Sequence, residues 1–132
     1  MKNHLENAAV FVGRVLIAVL FLGGAFQKLN DPVPAQTLLA GFGLPDILVW
    51  PALVFNAAVG LALILGVKVK SAAFLAAVYC AMTSMFHYLP DDPWQMTIFV
   101  KNWAIAGGCL VLAVHGAGAW SLSGPCSHGA DD

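Results

Sequence analysis

The sequence predicts an all-α integral membrane protein, a four-transmembrane-helix bundle with a short interfacial helix between spans one and two. Three observations predict it. The chain is 60% hydrophobic and 10% charged, with a mean hydropathy of +0.81, whereas soluble domains hold about 25% charged and about 45–50% apolar residues. Four separate stretches reach the ~20 apolar residues that a helix needs to cross about 30 Å of hydrocarbon. The connections between them are brief and rich in proline, aspartate or lysine.

The spans fall at about 8–29, 47–66, 71–89 and 97–116. The first contains AAVFVGRVLIAVLFLGGAF, Ala8 to Phe26, and closes on Gln27 and Lys28. Lys2 ahead of an apolar core also fits a signal peptide. Arg14 inside the run, and a chain that starts at Met1, predict a retained span instead. The second is ILVWPALVFNAAVGLALILG, with Pro51 in its first turns, and the third is SAAFLAAVYCAMTSMFHYL. The fourth, TIFVKNWAIAGGCLVLAVHG, sets Lys101 beside Asn102.

Between the first two spans, Pro32, Pro34 and Pro45 frame a piece in which Ala35, Leu38, Leu39 and Phe42 share one helical face. That pattern predicts a helix lying in the interface. Residues 1–120 form one transmembrane domain, and 121–132 a flexible cytoplasmic tail.

An even span count places both termini and the VKVK turn on one side, with Lys2, Lys68 and Lys70. Asp31, Asp46, Asp91 and Asp92 lie opposite. The positive-inside rule then predicts cytoplasmic termini. Trp50, Trp94 and Trp103 fall near the outer interface and Trp120 near the inner one. Helix packing in lipid favours small residues. These recur at four-residue spacing as Ala73, Ala77 and Ala81, as Ala104 and Gly108, and around Asn56 as Ala52 and Gly60. A compact bundle with a surplus small-residue face, able to dimerise, is the expected product.

Several function classes are excluded. A net charge of −1 offers no basic surface for nucleic acid. Cys80, Cys109 and Cys126 form no C-x-x-C and no disulfide framework; two read as small buried residues and the third as a free thiol. Haem ligation by two histidines needs one depth, and His87 and His115 lie at opposite ends. Cys126, His128 and His4 make at most an adventitious metal site. No hydrolase triad, metalloprotease or phosphate-loop motif is present.

Polar residues inside spans are costly and face protein or a cavity. Arg14 lies about 9 Å in from the cytoplasmic end, and Asn56 lies near the middle of span two. Gln27, Lys28, His87, Lys101 and Asn102 occupy one layer, the outer third of the bundle. Two readings apply. Taken singly, lysines snorkel and a histidine caps a helix end, with Asp31, Asp91 and Asp92 supplying counter-charge. Taken together, these groups line a ligand pocket. No Asp or Glu lies inside a span, so such a pocket suits a quinone carbonyl, an anionic headgroup or an oxidised sulfur anion.

The stretches GRVLIAVLFLGGAFQKL, GFGLP, VGLALILGVKVKSAA, FHYLP and KNWAIAGGCLVLAVHGAGAWSLS, in that order from about Val12 to Ser123, resemble the DoxX family of small bacterial membrane proteins. The resemblance implies a four-span bundle in the bacterial inner membrane. It also implies kinship with the DoxD subunit of a thiosulfate:quinone oxidoreductase and with partners of redox or detoxification systems. The family's recurring polar positions correspond to Arg14, Lys28, His87, Lys101 and Asn102. One position departs: members often carry a glutamate where this chain has Asn56, which removes a proton carrier or counter-ion from mid-span.

Three functions are consistent with these residues. The first is a small subunit of a redox-linked assembly that binds a quinone or anion in the outer polar layer. There Lys101 and His87 donate hydrogen bonds, Arg14 stabilises the inner half, and His87 passes a proton. The second is an accessory subunit whose small-residue faces dock on larger membrane partners. The third is a carrier for a small anion or lipid; carriers are marked by inverted repeats and broken helices, and here only Pro51 is a candidate break. No catalytic residue is assigned, and quinone is the one cofactor considered.

Overall fold

A computed structural model describes residues 2–122, and among them every regular element is helical. The order is α1 (Lys2–Asn30), α2 (Val33–Gly41), α3 (Val49–Leu65), α4 (Val69–Ser84) and α5 (Pro93–His115). Single-turn 3₁₀ helices, Asp46–Leu48 and Met85–His87, precede α3 and follow α4. Four segments are long and apolar enough to cross a membrane: Asn3–Asn30, Asp46–Leu65, Val69–His87 and Pro93–His115.

The helix ends differ from the apolar boundaries because hydrocarbon thickness and backbone hydrogen bonding stop for different reasons. Helix α1 starts at Lys2, ahead of the apolar run, and ends at Asn30. Pro32 pushes the preceding residue out of helical geometry, and Asp31 Oδ1 accepts a hydrogen bond from Val33 N at 3.2 Å. Helix α5 starts at Pro93 rather than near Thr97. Pro93 fits the first turn, and Asp92 caps it by accepting from Trp94 N at 3.0 Å and Gln95 N at 3.3 Å. Pro51 sits in the first turn of α3, where a missing N–H is tolerated, so α3 runs unbroken to Leu65.

Helix α2 has no fully buried residue. Ala35, Leu38 and Leu39 are half-buried, and the Phe42 ring meets Phe86 edge-on at 5.0 Å. It lies against the two 3₁₀ helices, at the end of the bundle that carries Asp91 and Asp92.

The closest pairings are α1 with α3 and α4 with α5. Small residues make both possible. A Cβ added at Gly60 meets Leu22 at 2.6 Å and the Ala18 carbonyl oxygen at 3.3 Å, so α1 and α3 approach backbone to side chain. Ala72, Ala73, Ala76, Ala77 and Cys80 of α4 are buried, as are Ala106, Cys109 and Leu112 of α5. The two pairs join through tilted ring contacts, Tyr79 lying 4.8 Å from Phe55 and 6.2 Å from Phe21.

Beyond α5 the chain turns back. Leu122 N donates to the Leu65 carbonyl at 3.0 Å, so the segment stays attached through Leu122. The rest of the expected tail, residues 123–132 with Cys126 and His128, lies outside the described residues.

Candidate functional site

Helical register decides where each polar side chain points. On α5, the buried residues Ala106, Cys109 and Leu112 mark the face turned to the protein. Asn102 stands one turn before Ala106 on that face and is half-buried; Lys101, its neighbour, is exposed. The adjacent pair is therefore split, one residue on the α4–α5 side and one turned outward. On α1, Ala18, Phe21 and Ala25 are buried. Lys28 follows Ala25 on the same face and is half-buried, while Gln27 is exposed.

Lys28 bends back along its own helix. Its Nζ donates to the Gly24 carbonyl at 3.4 Å. A Cβ placed at Gly24 meets Asn56 Nδ2 at 3.0 Å and Lys28 Nζ at 3.7 Å, so ammonium and carboxamide both lie over one glycine. Asn56 is 4% exposed, and its Oδ1 is buried without a hydrogen-bond partner. Tyr79 of α4 reaches the same carboxamide. An acceptor left unpaired in a low-dielectric interior costs about 1–3 kcal/mol. The arrangement thus holds one unpaired acceptor and one cation about the same carboxamide, and Tyr79, which reaches it, carries ring contacts to Phe21 and Phe55.

His87 lies further toward the α2 end. Its Nδ1 and Gln95 Oε1 are 2.6 Å apart, joining the turn after α4 to the first turn of α5. Among the described residues, no hydrogen bond connects Lys28, His87, Lys101 and Asn102 with one another. Gly24, Tyr79 and Gln95 belong to this geometry, and none of them stood among the candidate residues of the sequence.

Arg14 serves the opposite end. Side chains on a helix lean toward its N-terminus, so Arg14 reaches down from mid-helix. It is 1% exposed. Nη1 donates to the Ala117 carbonyl at 2.9 Å and Nη2 to the Trp120 carbonyl at 2.6 Å, closing two carbonyls of the returning segment. The guanidinium sits against Gly66 at the end of α3, and its Cζ lies 5.5 Å from the Phe11 ring centre. Among the described residues, no group of three or more His, Cys, Asp or Glu is placed to hold a metal ion.

These features define a class: a small polytopic helical membrane protein with cationic and amide groups inside its spans, and with carboxylates there, Glu6 and Asp46, only toward the span ends. The chain belongs to the DoxX family, whose model matches residues 9–89, covering α1 through α4. It is similar to the inner membrane protein YqjF of Escherichia coli (strain K12), at 29% identity over 121 residues, 91% of this chain and 93% of that one. No solved structure matches it.

Proposed function

We propose that the protein is a small subunit of a redox-linked assembly in a bacterial inner membrane, and that it binds a quinone or an anionic ligand between α1, α3 and α4. The observation that carries this reading is the buried Asn56 carboxamide, with Oδ1 unpartnered and Nδ2 over Gly24 close to the ammonium of Lys28. A quinone carbonyl accepts from Lys28, and the hydroxyl of its reduced form donates to Asn56 Oδ1. An oxyanion uses the lysine alone. Flat rings suit the neighbouring cluster of Phe21, Phe55 and Tyr79. His87, tied to Gln95, stands nearer the surface, where a proton enters or leaves. Gln27 and Lys101 anchor the helices at the interface, and Asn102 stays on the α4–α5 side. The family membership and the inner-membrane relative support the compartment. The Lys68–Lys70 turn supports cytoplasmic termini.

Photo-crosslinking with an azido-benzoquinone analogue tests the site. Label is expected on peptides holding Gly24–Lys28 and Phe55–Asn56, and it falls about tenfold in Asn56→Leu. Label spread evenly over all four spans contradicts the reading.

A second reading is favoured by α5. Ala104, Gly107 and Gly108 are exposed beside Lys101; a Cβ at Gly107 meets nothing within 4 Å, and one at Gly108 meets only Ile17, at 3.9 Å. Under this reading the chain is an accessory subunit docked through α5. Gly108→Ile then loses a co-purifying partner while the bundle stays folded; retention of the partner removes this reading.

A further inference from the structure

Asn56 is 4% exposed, so a ligand reaches its carboxamide only after part of the bundle has moved aside. Helices α1 and α3 form one close pair and α4 and α5 another, and the pairs meet each other far less closely. At the Lys68 end the two pairs are tied. The turn from α3 to α4 there spans only residues 66–68. Arg14 of α1 donates to the Ala117 and Trp120 carbonyls at 2.9 and 2.6 Å, and Leu122 N donates to the Leu65 carbonyl at 3.0 Å. Phe11 meets Trp120 edge-on at 5.9 Å, and a Cβ at Gly118 meets Val10 at 3.1 Å. An open cavity of about 380 Å³ beside Arg14 gives the side chains of this end room to repack as the pairs pivot.

The other end is held differently. Among the described residues, no hydrogen bond joins the two pairs there. Helix α2 bridges them instead. Short links at 31–32 and 42–45 fix it to the α1–α3 pair, and its Phe42 ring meets Phe86 of the opposite pair edge-on at 5.0 Å. No residue of α2 is buried, and Phe42 is 50% exposed, so little apolar burial is lost when this contact opens. His87, next to Phe86, is bonded to Gln95 of α5, so the turn after α4 stays with its own pair.

We propose that the bundle is hinged at the Lys68 end and latched at the other by Phe42 on Phe86, and that release of this latch admits a ligand from the bilayer to Asn56. The route rests on Asn56 being the place of binding. In a hinge motion the packed elements stay rigid and a few residues absorb the change; here residues 66–68 and the Phe42 contact do so. A pivot at the Lys68 end draws Tyr79 of α4 away from Asn56 of α3 and uncovers the carboxamide.

Two readouts separate the latch from the ligand site. Double electron–electron resonance, in a Cys126→Ser background, measures the distance between nitroxides at Leu29→Cys and Trp94→Cys across the α2 end. A second pair, Val12→Cys and Val114→Cys, spans the Lys68 end; all four positions are exposed. Phe42→Ala is expected to widen the first distance distribution about twofold and to leave the second unchanged. Phe86→Ala does the same, and the double variant does no more than either alone, since one contact is the latch. In these variants the azido-benzoquinone label accumulates on the Gly24–Lys28 peptide about tenfold faster after mixing, and it reaches the wild-type level. A first distribution that does not widen, or labelling at the wild-type rate in Phe42→Ala, overturns the latch and leaves the Asn56 site standing. No label in wild type or either variant removes the Asn56 site itself, and the route with it.

Discussion

At the residue scale, glycines that look alike in the sequence do different work. Gly66 adopts φ 75°, and a Cβ there meets the Ser121 side chain and Arg14 Nη1. Gly66→Ala therefore combines backbone strain with a clash and should cost about 1–3 kcal/mol. Gly60→Ala pushes on Leu22 and the Ala18 carbonyl and should cost a similar ~1–3 kcal/mol from overpacking. Gly107→Ala meets nothing and gains about 1 kcal/mol of helix propensity. Thermal unfolding in one detergent ranks the three variants; Gly107→Ala as the most damaging contradicts the packing. The four-residue spacing of Ala52, Asn56 and Gly60 matches that of Ala104 and Gly108, so spacing alone cannot separate them. In a soluble helix, polarity marks the outer face. In lipid both faces are apolar, and only the neighbours show that Gly60 is buried and Gly108 is not.

At the element scale, α4 is the most enclosed span and α5 the least. Cys80 and Cys109 are 4% and 0% exposed where α4 meets α5. In a Cys126→Ser background, maleimide should leave both thiols unmodified over hours in detergent and label them fully once SDS unfolds the bundle. Rapid labelling of either one contradicts the close packing of α4 on α5. The four crossing helices and the short helix before α3 were legible, because length and apolar content are summed over many residues. Helix ends were less so. Asp92 and Pro93 set the start of α5 through local hydrogen bonds, while the apolar run begins later. The adjacent Lys101 and Asn102 read as a pair, yet a 100° step between neighbours on a helix turns one toward the protein and the other away.

At the scale of the whole molecule, the bundle separates two kinds of polar group. Near the Lys68 end, Arg14 ties α1 to the segment beyond α5 and sits beside an open cavity. Toward the middle, Lys28 and Asn56 share the space over Gly24, with one acceptor unpaired. The sequence placed Lys28 in a polar layer from depth alone, and it left Asn56 outside that layer, near mid-span, because depth carries no information on which way a side chain leans. Lys28 bending back toward Gly24 brings the two together. Quinone content of the protein gently extracted in native lipid, read by mass spectrometry in wild type, Lys28→Met and Lys101→Met, tests the central claim most directly. The expected result is near-stoichiometric quinone in wild type and Lys101→Met, with at least a tenfold loss in Lys28→Met. Quinone absent from wild type, or held equally by Lys28→Met, would contradict a ligand site at Asn56.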